Sequence, residues 1–334
     1  MTRKLSYCLY GMDPTNPIND PDEDKPSTVG LGGLFQWSEA FNQAGGHGVI
    51  FPVMTPELLD TFDIVHVNYT PRNTNYIHAL RDNIGENSDT KIIANVDFAV
   101  SMWNSLDPYV MKAALDQCDF LFHVEPLGAL RLSDFLGRKV YTLPHPVDVD
   151  GIHRMGLAQP TMEPVTISCQ YHRYKDTWDP YFYAMRPLRE EYGVRTALCN
   201  ASSTPSHGHP VESLFDLIYH RSNYLDYLKL LSQMYLNLDI AWDVTYGRGI
   251  IDSAAMGIPT VGWLGVHAMN ILFPELTISN PYNHLELRSV VVRLLDDPDF
   301  AAEVSKSGTE RSSYFSLDSS YARMVTALEE EELI

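Results

Sequence analysis

Short apolar segments alternate with helical patterns along almost the whole chain. In the first part, strand-like runs occupy residues 5–10, 48–51, 64–67, 91–96, 120–124 and 140–143, and helical patterns occupy 34–44, 76–83, 109–117 and 127–136. Short, continuously apolar runs are typical of parallel strands that are buried on both faces. A chain that alternates such strands with helices is expected to form a doubly wound α/β sheet.

A second alternation of the same kind follows a proline-containing segment. Residues 155–164 include Pro160 and Pro164 and show no clear period, which indicates a linker. Beyond it, strand-like runs lie at 165–169, 195–199, 238–241, 260–263 and 276–278, with helices at 180–192, 222–235, 250–256, 284–295, 298–308 and 318–332. The sequence therefore predicts two Rossmann-like domains in series.

The length of the chain and its net charge indicate what kind of protein it is and which partners are not expected. The chain has 334 residues, 45% of them hydrophobic, which is enough for two α/β domains that each bury a core. The 43 acidic residues outnumber the 24 basic ones, so the formal net charge is −19. An acidic surface repels phosphate backbones and anionic lipids, and bulk binding to nucleic acid is therefore not expected.

The same sequence also gives a prediction of the cellular compartment of the protein. No apolar run reaches the ~18 residues that a membrane span needs, and the first residues lead straight into a strand rather than a secretory signal. The four cysteines are scattered, without the spacing of a metal site, at Cys8, Cys118, Cys169 and Cys199. They are predicted to be reduced and mostly buried thiols, and the protein is predicted to be cytoplasmic.

The segment 243–261 carries the clearest functional signal. It reads as a polar loop with Gly247 and Gly249, then a short helix, then Gly-Ile-Pro before a strand. Glycines let a backbone approach a ligand closely, and a helix start offers free N–H groups to a phosphate. Asp252, expected in the first turn, could accept hydrogen bonds from a sugar. The alternative is an ordinary loop, helix and strand, with Gly257 ending the helix.

This segment resembles the donor-binding motif of family 4 retaining glycosyltransferases. The matching residues include Gly247, Asp252, Ala255, Gly257 and Pro259. Three further segments resemble that family in the same order along the chain, namely 32–49, 62–68 and 144–150. The resemblance implies the GT-B fold, in which two Rossmann-like domains face each other across a cleft. It implies an acceptor domain at 1–154, a donor domain at 165–317, and a final helix at 318–334 that packs back toward the first domain.

The resemblance also implies which residues bind the donor. In the family, an arginine and a lysine that bind phosphate follow the first strand of the second domain. Lys175 matches the lysine, Gln170 falls on the arginine, and Arg173 is close enough to supply the missing charge. Preorganised cations stabilise the charge on a departing diphosphate, so Arg173 and Lys175 are predicted to be catalytic; the alternative is a solvated basic turn. The residues predicted to bind the donor are Gly32, Gly33, Gln170, Asp243, Gly247, Arg248, Gly249 and Asp252.

Asp97 is the third predicted catalytic residue. It stands at the end of the strand 91–96, where the family commonly has a histidine. It could accept a hydrogen bond from a sugar or acceptor hydroxyl, or it could cap the next helix.

Two other features of the sequence also have more than one interpretation. Residues 11–30 are predicted to form a long loop that acts as a lid or an acceptor loop, the alternative being a disordered acidic insertion, and Glu125 could touch the acceptor or the donor.

These patterns together predict a retaining, metal-independent glycosyltransferase. Its partners would be a nucleotide diphosphate sugar and an acceptor that carries a hydroxyl group, and it would need no cofactor. One alternative is a nucleotide-sugar epimerase of the same fold. Another is a catalytically silent GT-B subunit that binds a glycan or a partner enzyme.

Overall fold

The computed structural model describes residues 4–10, 33–51, 56–69, 74–84, 88–97, 107–157, 165–170, 178–201, 215–220, 222–241 and 243–334. The chain divides into two compact units. Unit 1 comprises Met1–Asp148 and Tyr314–Ile334, and unit 2 comprises Val149–Ser313. The break at residue 148 falls shortly before the predicted end of the first domain, and the final helix belongs to unit 1.

Unit 1 is built on one parallel sheet of six strands, in the order β2-β1-β3-β4-β5-β6. The strands are β1 (Ser6–Tyr10), β2 (His47–Phe51), β3 (Ile64–Tyr69), β4 (Lys91–Val96), β5 (Phe120–His123) and β6 (Tyr141–Thr142). Its helices are α1 (Gln36–Gln43), α2 (Pro56–Leu59), α3 (Thr74–Ile84), α4 (Pro108–Leu115), α5 (Pro126–Leu136) and α13 (Leu317–Glu330), numbered in chain order. The strand order reverses between β1 and β3, and ligands bind at the carboxyl end of such a switch point in open α/β sheets.

The two faces of this sheet are covered by different helices. On one face, Ile77 of α3, Ala114 of α4 and Leu132 of α5 are fully buried in the same core cluster as Val65 and Ile92 of the sheet. The other face is covered by α1 and α13, whose buried side chains include Trp37, Phe41, Tyr321, Met324 and Leu328. The last helix of the chain therefore completes the core of unit 1.

Unit 2 contains a second parallel sheet of six strands, in the order β12-β11-β10-β7-β8-β9. The strands are β7 (Thr166–Gln170), β8 (Arg195–Ala201), β9 (Leu217–His220), β10 (Leu236–Asp239), β11 (Thr260–Trp263) and β12 (Thr277–Ile278). The helices are α6 (Val149–Arg154), α7 (Trp178–Tyr192), α8 (Tyr224–Leu231), α9 (Arg248–Ala255), α10 (His267–Leu272), α11 (His284–Asp296) and α12 (Pro298–Ser312). From β9 this is the strand order of dinucleotide-binding domains, with its switch point between β7 and β10.

Aspartates close the amino edges of both sheets. Asp63, Asp119 and Asp216 each stand one residue before a strand, and each accepts a backbone N–H at the start of the neighbouring strand at 2.7–2.8 Å. These N–H groups would otherwise lack a partner at the sheet edge. Some of the acidic residues of the chain thus have a structural role at the amino edges.

The predicted fold class is confirmed, because both sheets are parallel and alternate with helices. Among the described strands and α-helices, four were not predicted from the sequence, namely the strand β9 and the short helices α2, α6 and α10. β9 alternates between half-buried and exposed positions, unlike the continuously apolar runs that guided the prediction. The four cysteines are buried thiols, as predicted. Among the helices of the described ranges, none is long and apolar enough to cross a lipid bilayer.

One local prediction was wrong. Helix α9 begins at Arg248 rather than at residue 250, so Gly249 lies inside the helix and Asp252 lies beyond its first turn. The left-handed backbone of Gly247, with φ +88°, ends the loop and starts the helix. Asp252 therefore does not interact with the helix dipole as a first-turn carboxylate would.

Candidate functional site

Several predicted donor residues meet at the switch point of the second sheet. Gln170 ends β7 and Asp239 ends β10, and both side chains are buried. A Cβ added at Gly249 would lie 3.8 Å from Cγ of Gln170 and 3.9 Å from Oδ2 of Asp239. The amide of Gln170 donates to the hydroxyl of Tyr227 at 3.2 Å. The start of α9 is thus packed against the carboxyl ends of the two central strands, where ligands bind in this fold.

Arg248, Asp252 and Tyr224 form a closed group beside this point. Nε of Arg248 donates to Oδ1 of Asp252 at 2.9 Å, and Nη2 donates to the Tyr224 hydroxyl at 2.6 Å. The Tyr224 hydroxyl in turn donates to Oδ1 of Asp252 at 2.6 Å. Side chains of Arg248 and Asp252 are 20% and 2% exposed. The group therefore holds a charged pair whose carboxylate is buried and whose guanidinium is partly exposed.

The electrostatics of this group keep Arg248 charged and Tyr224 neutral. Burial acts to lower the pKa of Arg248, but the negative charge of Asp252 offsets it, and the pKa lies well above its usual value. Burial raises the pKa of Tyr224, so its hydroxyl keeps the proton that it donates to Asp252. The result is a permanent cation at the start of α9.

Arg248 has donor capacity that the described residues do not use. Its Nη1 atom is buried and has no hydrogen-bond partner among the described residues. Arg248 is also the first residue of α9, where the helix dipole disfavours a cation. An anion at this helix start would both accept from Nη1 and interact favourably with the dipole.

The two glycines of the motif have different surroundings. A Cβ at Gly247 would lie 2.5 Å from Cγ1 of Val266 and 3.0 Å from Cδ1 of Ile250, in addition to the unfavourable φ of +88°. At Gly249 the nearest atom to an added Cβ is the Tyr227 hydroxyl oxygen at 3.4 Å, an ordinary contact. Packing and backbone conformation therefore require Gly247, whereas they do not require Gly249.

Asp97 lies at the carboxyl edge of the first sheet and is held there by His145. Nε2 of His145 lies 3.2 Å from Oδ2 of Asp97, and the indole N–H of Trp37 donates to Nδ1 of His145 at 3.1 Å. His145 and Trp37 are buried, while the side chain of Asp97 is 40% exposed. Residues 98–106, which follow Asp97, lie outside the described residues, and the described helix after them, α4, is capped by Asp107. Asp97 thus presents a carboxylate that is anchored on one side and open on the other.

A second chain of polar groups reaches the same edge from the core. The hydroxyl of Tyr7 bonds to Nδ1 of His66, Nε2 of His66 lies 2.8 Å from Oδ1 of Asn95, and Nδ2 of Asn95 donates to Oδ1 of Asn68 at 3.0 Å. Burial lowers the pKa of His66 to about 3, so this histidine is neutral. Asn95 and Asp97 are two residues apart at the end of β4 and therefore lie on the same face of the sheet.

The remaining predicted residues have varied placements. Gly33 begins a 3₁₀ turn before α1 with φ +59°, and Asp243 accepts from the backbone N–H of Val244 at 2.8 Å. Glu125 is buried and caps α5 through the N–H groups of Leu127 and Gly128, which gives it a structural role. Gly32, Arg173, Lys175 and the loop 11–30 lie outside the described residues. In the described part of the chain, no three His, Cys, Asp or Glu side chains group as a metal site would require.

Several residues that lie beside these sites in the structure were given no role by the sequence-based prediction. They are Trp37, Asn68, Asn95, His145, Tyr224, Tyr227 and Asp239. The signal for Asn68 and Asn95 was present, because alternate polar residues are unusual in a parallel strand buried on both faces. Tyr224 and Tyr227 carried no such signal, since aromatic residues three apart on a helix are usually part of a core.

No protein-family model matches the chain, and no curated protein matches it in sequence. Solved structures do match it. One is a trehalose-6-phosphate synthase from work on glycosyl transfer with retention, at TM-score 0.61 and 14% identity, over 80% of this chain and 73% of that one. Another is a UDP-forming α,α-trehalose-phosphate synthase from Burkholderia xenovorans, at TM-score 0.62 and 14% identity, over 83% and 75%.

A third match is a pneumococcal O-GlcNAc transferase in complex with UDP and GlcNAc, at TM-score 0.55 and 12% identity, over 80% of this chain and 57% of that one. Identities this low show the fold and not the activity. They do not support family 4 in particular, so that narrower resemblance stays a prediction. The two parallel sheets and these structural neighbours together confirm that the chain has the two-domain α/β fold called GT-B.

Proposed function

We propose that the protein is a retaining glycosyltransferase that moves a sugar from a nucleotide diphosphate to an acceptor hydroxyl. The observation that carries this proposal is Arg248, a partly buried cation at the start of α9 whose buried Nη1 atom has no partner among the described residues. A diphosphate supplies the anionic oxygens that this guanidinium and the adjacent helix start would bind. The GT-B fold supports the proposal, since the matching solved structures include a synthase studied for glycosyl transfer with retention and an O-GlcNAc transferase.

The leaving diphosphate explains why cations would matter for the reaction. The bond between the anomeric carbon and the phosphate oxygen breaks, and charge develops on the diphosphate. Arg248, together with Arg173 and Lys175, would stabilise that charge before and during the transition state. The acceptor oxygen forms the new bond to the anomeric carbon, and its proton passes to the departing phosphate oxygen. No metal and no protein nucleophile take part in this scheme.

Asp97 would act on the other substrate. Its carboxylate is half exposed and held at Oδ2 by His145, so the remaining lone pairs can accept from a sugar or acceptor hydroxyl. A hydroxyl that is held by an anion is oriented and more nucleophilic. Unit 1 would in this way bind the acceptor, and unit 2 would bind the donor.

One observation favours a second candidate. A carboxylate beside a histidine, as in Asp97 and His145, is also what a nucleotide-sugar epimerase of this fold would use for proton transfer. The two activities differ in their products. An epimerase would convert the sugar of the donor without any acceptor, whereas a glycosyltransferase would give a glycoside only when an acceptor is present. Sugar products followed by NMR, with and without acceptors, separate the two.

Nucleotide binding is the first test. The names of two neighbours specify UDP, so UDP is the first ligand to titrate by calorimetry. Lys175→Ala should weaken UDP binding by ~1.5–3 kcal/mol, the value of a hydrogen bond to a charged group. A suitable control is Lys229→Ala, because Lys229 is an exposed lysine of unit 2 that pairs with Asp226 on α8. Failure of every nucleoside diphosphate to bind the wild-type protein would refute the proposal.

A further inference from the structure

The hydrogen bonds around His145 determine which ring nitrogen carries its proton. The indole N–H of Trp37 can only donate, and it lies 3.1 Å from Nδ1 of His145. Nδ1 must therefore accept, which places the proton of the neutral ring on Nε2. That nitrogen lies 3.2 Å from Oδ2 of Asp97 and donates to it. Trp37 thus selects the tautomer of His145 that can hold the carboxylate.

The support for this arrangement is rigid. Trp37 is fully buried in α1, where its ring packs edge-on against Phe122 of β5. One residue earlier, Gln36 accepts the backbone N–H of Asp148 at 3.0 Å, so the start of α1 holds the segment 145–148 at two points. The side chain of His145 is 4% exposed, against 40% for Asp97. A buried and oriented donor therefore meets a carboxylate that is open to a ligand.

We propose that His145 is a positioning residue, fixed by Trp37, that orients Asp97 to accept a hydrogen bond from a substrate hydroxyl. The inference rests on the proposed function for its substrate class, a polyhydroxylated sugar or acceptor. His145 would not touch the substrate, because its two ring nitrogens bond to Trp37 and Asp97. Its contribution would be geometric, since its bond to Oδ2 restricts the orientation of a carboxylate whose side chain is 40% exposed.

The first arm of the test uses turnover. Asp97→Asn and His145→Phe should each lower the rate of sugar transfer from a UDP-sugar at least ~10-fold, with the KM for the donor nearly unchanged. His145→Gln should retain most of the rate, because its amide can still donate near the position of Nε2. The double variant His145→Phe/Asp97→Asn should be no slower than the slower single variant, because both changes remove one interaction. A purely structural role predicts instead a lower melting temperature for His145→Phe and no rescue by His145→Gln.

The second arm needs no activity. Nitrogen-15 NMR of the histidine rings in the whole protein should show His145 protonated on Nε2 and unprotonated on Nδ1. Trp37→Phe should leave Nδ1 without its donor and give a mixture of the two tautomers. A wild-type ring protonated on Nδ1, or wild-type turnover in His145→Phe, would overturn the inference. If the wild-type protein transfers no sugar from any nucleotide donor, the proposed function fails, while the NMR result still decides whether Trp37 and His145 hold Asp97.

Discussion

The carboxyl edges of the two sheets present opposite kinds of polar group. In unit 1, the edge carries a half-exposed carboxylate, Asp97, supported by the neutral donors His145 and Trp37. In unit 2, it carries a partly buried guanidinium, Arg248, supported by Asp252 and Tyr224. The two sheets have the same number of strands but different orders, with switch points at β1/β3 and at β7/β10. The same α/β architecture therefore presents a carboxylate at the carboxyl edge of one sheet and a guanidinium at that of the other.

The difference matches what each substrate would require. A hydroxyl group is neutral and needs an acceptor, whereas a diphosphate is anionic and needs a cation and N–H donors. Their supports differ for a physical reason as well. A partly exposed carboxylate keeps some hydration, while a buried guanidinium needs a counter-charge to offset the cost of its desolvation. Asp252 supplies that charge, and this explains why its carboxylate is directed inward at Arg248.

The largest expected effect tests the support of Arg248. Arg248→Met would leave the buried carboxylate of Asp252 without its counter-charge, so it should lower the free energy of unfolding by about 3–5 kcal/mol, measured by urea titration. The double variant Arg248→Met/Asp252→Leu should recover much of this loss, because no charge is left buried. Neither variant should bind UDP normally.

The matched comparison for that prediction is Lys229→Met, which breaks an exposed ion pair of the same unit. It should change the free energy of unfolding little, since solvent screens exposed pairs. A similar small effect for Arg248→Met would show that the pair with Asp252 is not a buried one. Recovery of UDP binding in the double variant would mean that Arg248 serves stability rather than the donor.

A second comparison contrasts the two glycines of unit 2. Gly247→Ala places a methyl group 2.5 Å from Val266 at a φ of +88°, and should cost about 2–4 kcal/mol of stability from strain and overpacking. Gly249→Ala adds a methyl group inside a helix in ordinary contact, and should be neutral or stabilising by up to ~1 kcal/mol. Melting temperatures of the two variants give the measurement. Equal losses would contradict the difference in packing between the two positions.

The smallest expected effect is on how the stability of unit 1 depends on pH. Burial lowers the pKa of His66 to about 3, whereas an unfolded histidine titrates near ~6.5. Since the unfolded chain binds this proton first, the stability contributed by neutral His66 is present above pH ~6.5 and is lost as the pH falls toward 3. The slope from this one group should approach ~1.4 kcal/mol per pH unit. His66→Gln should flatten the dependence in urea titrations at pH 7.5 and 5.

The control for the acid prediction is His47→Gln, because His47 is an exposed histidine at the start of β2 in the same unit. It should leave the slope unchanged. An equal slope in the wild-type protein and in His66→Gln would mean that other groups dominate acid unfolding. The variant also removes the bond from Tyr7, so its stability at pH 7.5 must be measured separately from the slope.

The amino-acid sequence alone determined the alternation of strands and helices, the two-domain division and the fold class. These features follow from local patterns, since buried parallel strands are short and apolar and the helices between them are amphipathic. The sequence also predicted Gly247, Arg248 and Asp252 to form one group, because they lie within the first two turns of one helix or directly before it. Burial of Cys8, Cys169 and Cys199 followed from the apolar strand-like runs in which they lie.

The tertiary structure alone decided the strand orders and the partners of each polar group. Strand order depends on how each crossover returns to the sheet, and nothing in a single strand encodes its neighbour. Asp97 and His145 are 48 positions apart in the chain, and Tyr224 and Asp252 are 28 apart, so only folding brings each pair within hydrogen-bond distance. The direction of the Asp252 side chain, toward Arg248, is likewise decided by folding. A sequence shows that a carboxylate is near a helix start, but the burial of Arg248 beside it determines where that carboxylate points.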